Sequence, residues 1–166
     1  MKPNVTFAGN PVNLVGTLPQ VGDKAPDFSL IAQDLSAKTL SDFEGKIKVI
    51  AIYPSVDTGV CAAQNRQINT LFNSLEDVVV LSVSRDLPFA QKRFCAAEGL
   101  DNIITLSDYR ESLFGADYGF LIDELKLLAR GTVIVGKDNV VKYVEVVPEI
   151  TTEPDYDKAI EVVKSL

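Results

Sequence analysis

The 166-residue chain contains no histidine and only two cysteines, Cys61 and Cys95. Without histidine, Ser–His and Cys–His catalytic pairs and every histidine-ligated metal centre are ruled out. Two cysteines are too few for a zinc site built from four thiolates, or from three and a histidine, so no metal is expected. In a reducing compartment such a pair is more readily catalytic or inert than a permanent structural bridge. Basic clusters are missing as well. Sixteen Lys and Arg against 23 Asp and Glu give a net charge of −7, with no basic run, which argues against nucleic acid and anionic membranes as partners. No apolar segment approaches the roughly 20 residues that cross a bilayer. The opening Met1-Lys2-Pro3-Asn4-Val5-Thr6-Phe7 has no apolar signal-peptide core, so the expected location is cytoplasmic.

What is present suits one domain over residues 1–166, with 46% hydrophobic and 23% charged residues. The chain is organised around Tyr53-Pro54-Ser55-Val56-Asp57-Thr58-Gly59-Val60-Cys61. Before it, Ile47-Lys48-Val49-Ile50-Ala51-Ile52 reads as a buried central strand. After it, residues 62–72 are good helix formers with apolar residues at helical spacing. Pro54 stops the strand, and Asp57, Thr58 and Gly59 all suit the cap or turn. Cys61 therefore falls in the first turn of a helix, where free N–H groups and the helix dipole stabilise a thiolate.

Elsewhere, residues 4–7 and 12–15 predict a small hairpin, placed within an N-terminal extension over 1–16. A short strand is expected at 28–31, and Ser41 or Asp42 is a candidate cap for one helical turn. A strand over 78–84 leads to Asp86 as N-cap, Pro88 in the first turn of a second helix carrying Cys95, and Gly99 as its stop. This strand–helix–strand–helix order implies parallel strands. A short strand at 103–106, a helix near 111–118, a hairpin of 132–135 with 140–146, and a closing helix from about 153 to 166 complete an α/β chain. The closing helix is expected to start at Thr152-Glu153-Pro154-Asp155 in capping-box style.

Each candidate has a plain alternative. Cys61 shares a face with Ile68, Phe72 and Leu75, so it reads equally as a small buried hydrophobe. Cys95 lies on the next helix, and spacing alone does not bring the two sulfurs together. The stretch 131–138 approaches a phosphate-binding loop, but Asp138 stands where Ser or Thr must hold magnesium, and its interior is β-branched. Glu145, Glu149, Glu153, Asp155 and Asp157 read as a solvated face and helix-start charge. Arg130, just before an apolar strand, is either a surface residue or a guanidinium aimed at an anion.

Pro54-x-x-x-Thr58-x-x-Cys61 matches the peroxiredoxin active-site pattern. The whole chain resembles the thiol peroxidase subfamily, the atypical two-cysteine peroxiredoxins. The matching stretches are 54–63, the run 86–95 from Asp86-Leu87-Pro88 to Phe94-Cys95, the run 149–156, and Phe7-x-Gly9-Asn10-Pro11-Val12. The resemblance implies a thioredoxin-like fold with a central mixed sheet flanked by helices and an N-terminal hairpin. It implies that Cys61 is the peroxidatic and Cys95 the resolving cysteine, with Thr58 and Arg130 in the site and Pro54 shielding the pocket. Arg110 also falls where the subfamily carries an arginine. Residues 120–128 look shorter than the counterpart loop of many members, which bears on pocket shape.

The implied activity is reduction of hydrogen peroxide and organic hydroperoxides through a Cys61 sulfenic acid. A Cys61–Cys95 intrachain disulfide follows, reduced by thioredoxin, in a homodimer that needs no cofactor. Arg130, the Thr58 hydroxyl and the Cys61 N–H are the expected donors to the departing oxygen. The competing reading is a peroxide sensor relaying its disulfide to a client. A general disulfide oxidoreductase fits less well, because there is no Cys-x-x-Cys.

Overall fold

The computed structural model describes residues 3–72 and 75–166; the first two positions of the expected 1–16 extension lie outside the described residues. In chain order the elements are β1 (Val5–Phe7), β2 (Asn10–Val12), β3 (Leu14–Val15), β4 (Ser29–Ile31), β5 (Ala37–Thr39), β6 (Ile47–Ile52) and α1 (Gly59–Leu71). There follow β7 (Val78–Ser84), α2 (Pro88–Glu98), β8 (Ile104–Ser107), α3 (Phe114–Asp117), β9 (Leu121–Ile122), β10 (Gly131–Val135), β11 (Val141–Val146) and α4 (Tyr156–Lys164).

Seven strands form a mixed sheet in the order β11-β10-β6-β7-β8-β4-β5, with β6, β7 and β8 parallel and their outer neighbours antiparallel. Every residue of β6 is buried, which explains an unbroken apolar run rather than an alternating one. Val49 and Ala51 face a cluster holding Ile68 of α1, Cys95 of α2 and Val163 of α4. Ile50 and Ile52 face the other cluster, with Leu30, Phe114 and Phe120. The one polar member, Lys48, is fully buried and donates from Nζ to the Gly136 carbonyl at 3.1 Å and to Asn139 Oδ1 at 2.5 Å. A lysine is tolerated inside because it ties down the β10–β11 turn.

Several local expectations need correction. The hairpin pairs β1 with β2 around an Ala8-Gly9 turn, while Leu14 and Val15 leave it to pair with β9. Two-residue strands carry too little periodicity to be read from sequence. The short helical turn at Leu40–Phe43 is capped by Thr39, with Asp42 completing the capping box as its third residue. The 111–118 helix shrinks to α3, because Ser112 sits at φ 58°, in the left-handed region where a right-handed helix cannot run. The closing helix starts three residues late, at Tyr156, with the Asp155 carboxylate accepting the Lys158 N–H at 3.1 Å. Thr152 instead turns its hydroxyl back to the Glu149 carbonyl at 2.7 Å. The 131–138 stretch, by contrast, is as expected a strand and its turn, not a phosphate loop.

Candidate active site

The apolar run of β6 ends at Ile52, and Tyr53 and Pro54 are still buried as the chain turns. Thr58 is the N-cap of α1; its extended backbone lets Oγ1 accept the Cys61 N–H at 3.3 Å. Its own hydroxyl hydrogen goes to the Ser55 carbonyl at 3.2 Å. Cys61 lies one turn into the helix, fully buried and unbridged, packed with Tyr53, Val56 and Phe94.

Arg130 reaches this thiol from the residue before β10. It is 2% exposed, and its Nη1 donates to Cys61 Sγ at 3.1 Å and to Gln64 Oε1 at 2.8 Å. Its Nε donates to the Ile150 carbonyl at 2.7 Å. A buried guanidinium hydrogen-bonded to a sulfur places a fixed positive charge against the atom that would act as nucleophile. Gly131, next to Arg130, lets β10 pack closely on β11. A Cβ there would sit 2.0 Å from the Glu145 carbonyl oxygen, so a side chain would push β11 away.

Of the three donors expected to face a departing oxygen, Arg130 alone touches the sulfur. The Thr58 hydroxyl and the Cys61 N–H are engaged with Ser55 and with each other. Pro54 lies buried at the same turn.

Cys95 is elsewhere. Its thiol is free and 8% exposed, within the cluster formed by Ile47, Val80, Leu100 and Ile103. Burial pushes it above the ordinary thiol value, with smaller opposing effects from Gln33 and Thr105. α1 and α2 share one face of the sheet, and Phe94 touches the Cys61 cluster while Cys95 beside it does not. Arg110 stands apart, its guanidinium 5.7 Å from the Tyr109 ring centroid.

Sequence reasoning missed the supports. Asp86 does not cap α2, whose N-cap is Leu87 without a side-chain bond. Its carboxylate accepts instead from Val56 N–H at 2.8 Å, Ser55 Oγ at 2.8 Å and Ser84 Oγ at 2.7 Å, clamping the Cys61 loop to β7. Below α1, Tyr53 Oη lies 2.6 Å from Ser82 Oγ, which donates to Asn65 Oδ1 at 2.6 Å, and Asn65 Nδ2 donates to the Cys61 carbonyl at 2.9 Å. Gln64 and Asn65 are polar residues buried on a helix that also carries a cysteine, and that placement is the only hint the sequence held. Among the described residues, no group of three or more metal-ligating side chains comes together.

The redoxin family pattern matches residues 20–160. The thiol peroxidase of Streptococcus pneumoniae is 54% identical over 162 residues, covering 98% of this chain and 99% of that one. That of Streptococcus sanguinis is 56% identical over 161 residues, covering 97% and 99%. Among solved structures, a peroxiredoxin-like protein from Aquifex aeolicus superposes with a TM-score of 0.92 at 40% identity, covering 99% of this chain and 98% of that one.

Proposed function

The chain belongs to the redoxin family, within it to the thiol peroxidase subfamily of the peroxiredoxins, with their thioredoxin-like fold, and we propose that it reduces hydroperoxides with Cys61 as nucleophile and Cys95 as resolving thiol. The observation that carries the assignment is the Arg130 guanidinium, buried and 3.1 Å from a Cys61 sulfur at a capped helix start.

The Cys61 thiolate attacks one peroxide oxygen as the O–O bond breaks. The sulfur loses two electrons and becomes a sulfenic acid; the departing oxygen takes a proton and leaves as water or an alcohol. Arg130, held against the sulfur, is the proposed donor to the departing oxygen as charge moves onto it, an interaction that grows in the transition state. Cys95 then attacks the sulfenic sulfur as a thiolate; the S–O bond breaks, its oxygen takes up the proton released from the Cys95 thiol and leaves as water, and the Cys61–Cys95 disulfide forms. A dithiol protein of the thioredoxin class restores both thiols by two exchanges.

Cys95 faces the sheet core, so forming the bond requires α2 to open locally. Opening exposes the thiol and removes the burial that disfavours its ionisation. No helix among the described residues is long and apolar enough to cross a membrane. A homodimer is part of the proposal by family likeness.

The test is peroxide-dependent NADPH oxidation through thioredoxin and its reductase. Cys61→Ser and Cys95→Ser should both lose turnover, with one round of Cys61 oxidation retained in Cys95→Ser alone. Full turnover in Cys95→Ser would return Cys95 to a packing role. A wild type that oxidises once but passes its disulfide only to one stable partner would indicate a relay.

A further inference from the structure

The N-terminal hairpin lies far from the cysteines in sequence, yet it holds the segment that holds Arg130. Thr6 of β1 forms a parallel bridge with Glu149. Its N–H donates to the Pro148 carbonyl at 2.8 Å, and its carbonyl accepts the Ile150 N–H at 2.9 Å. The carbonyl of that same Ile150 takes Arg130 Nε at 2.7 Å, the guanidinium's bond to the backbone. The chain of contacts therefore runs from β1 through 148–150 to Arg130 and on to Cys61.

Glu149 is the centre of this joint. One carboxylate oxygen accepts Thr6 Oγ1 at 2.8 Å and the Gly9 N–H at 2.8 Å. The other accepts the Ala8 N–H at 3.1 Å, the Thr151 N–H at 2.8 Å and Thr151 Oγ1 at 2.6 Å. Ala8 and Gly9 both have positive φ, 51° and 82°. Successive N–H groups in such a turn form a concave nest that suits an anion, and here a carboxylate from the far end of the chain fills it. Alanine in the left-handed region is unfavourable by itself. The hydrogen bonds to Glu149 offset that, which argues that the joint is specified and not incidental.

We propose that Glu149 is a positioning residue for the peroxidase reaction: by clamping the β1–β2 turn to residues 148–151 it fixes the Ile150 carbonyl, and through it the Arg130 guanidinium over Cys61. This rests on the assignment of Cys61 and Arg130 made above. It gives the hairpin a part in the chemistry, although no hairpin residue touches the sulfur. The clamp holds across the neutral range. Hydrogen bonds from the Thr151 hydroxyl, the Thr151 N–H and the Gly9 N–H hold the Glu149 carboxyl at about 2, well below the carboxylate range.

A double-mutant cycle tests it, read as the rate constant of Cys61 oxidation by hydrogen peroxide in a Cys95→Ser background. Glu149→Ala should slow oxidation about tenfold when Arg130 is present, as expected for a misplaced transition-state donor. In an Arg130→Met background it should change the rate by less than about twofold, because its effect is transmitted through the arginine. Glu149→Gln, which keeps one acceptor oxygen, should fall between wild type and Glu149→Ala, and it keeps the test alive should the alanine variant fail to fold. Equal losses in both backgrounds would mean a general structural role and overturn the proposal. No loss in either background would overturn it too. Arg130→Met itself oxidising at the wild-type rate would refute the underlying assignment, a result distinguishable from the others.

Discussion

The two cysteines occupy opposite kinds of surroundings on neighbouring helices. α1 starts with a side-chain cap from Thr58, and its cysteine meets a buried cation and a hydrogen-bonded floor from Asn65, Ser82 and Tyr53. α2 starts at Leu87 with no side-chain cap, and its cysteine lies against aliphatic core residues. α2 also buries Gln91, whose Nε2 bonds Ser84 Oγ and the Leu106 carbonyl; each helix leaves one buried amide atom without a partner among the described residues, Gln64 Nε2 on α1 and Gln91 Oε1 here. Phe89, by contrast, is 65% exposed on the same helix. One helix sets its sulfur against a cation and a polar floor; the other, without a side-chain cap, sets its sulfur against the aliphatic core. In the proposed reaction the nucleophile must be in place before substrate arrives, whereas the resolving thiol must move, and the two surroundings suit those two tasks.

The contrast collapses furthest when the cation is removed. Arg130→Met should slow Cys61 oxidation by about 10²–10³-fold, the range for loss of a preorganised donor. It leaves the Ile150 carbonyl and Gln64 Oε1 without Arg130 as a donor, so denaturant melts should show a loss of about 1–3 kcal/mol. Alkylation of Cys95 should be unchanged.

The pH dependence of disulfide formation separates the two sulfurs next. Burial raises the folded Cys95 thiol above its opened value, so opening and ionisation are coupled. Stability of the closed α2 is thus lost as pH rises through the ordinary thiol value of about 8.5. The rate of disulfide formation should climb about tenfold per pH unit and keep climbing past about 8.5, up to the higher folded value. A profile that levels at the ordinary thiol value in stopped-flow measurements would mean that Cys95 is already exposed.

Smaller changes tune the fastening. Leu87→Ser would give α2 the cap it lacks, at an exposed position whose backbone is already extended. A gain of about 1 kcal/mol is expected, slowing disulfide formation about fivefold while peroxide reactivity of Cys61 stays put. Smallest is Arg66→Ala, which removes a 3.0 Å pair to Glu98 between α1 and α2, with side chains 52% and 32% exposed. Its effect on melts should stay below about 0.5 kcal/mol and vanish in high salt.

Legibility from sequence followed burial and length. β6 and β7 were readable to the residue, because strands covered on both faces leave unbroken β-branched runs. Cys61 was readable because a strand end, a proline and a capping threonine are all local signals. Asp86 misled, because a carboxylate just before a helix has the same local signature whether it caps that helix or reaches back to Val56 and Ser55. Glu149 and Glu145 misled similarly. Placed among acidic neighbours they read as solvated, yet Glu149 fills the hairpin turn, and half-buried Glu145 accepts the Asp155 N–H at 3.1 Å. Burial raises the Glu145 carboxyl above its ordinary value.

Residue type and short-range spacing were enough to set the α/β order of elements, the helix-start location of Cys61 and the exclusion of histidine chemistry, since none of these reaches beyond a few turns of chain. The closed fold was needed to show that Arg130, 69 positions from Cys61, donates to its sulfur, and that Glu149 meets Ala8 and Gly9 from 140 positions away or more. Such contacts depend on how distant strands register in one sheet, and no local preference encodes where a side chain ends once the sheet has closed over it.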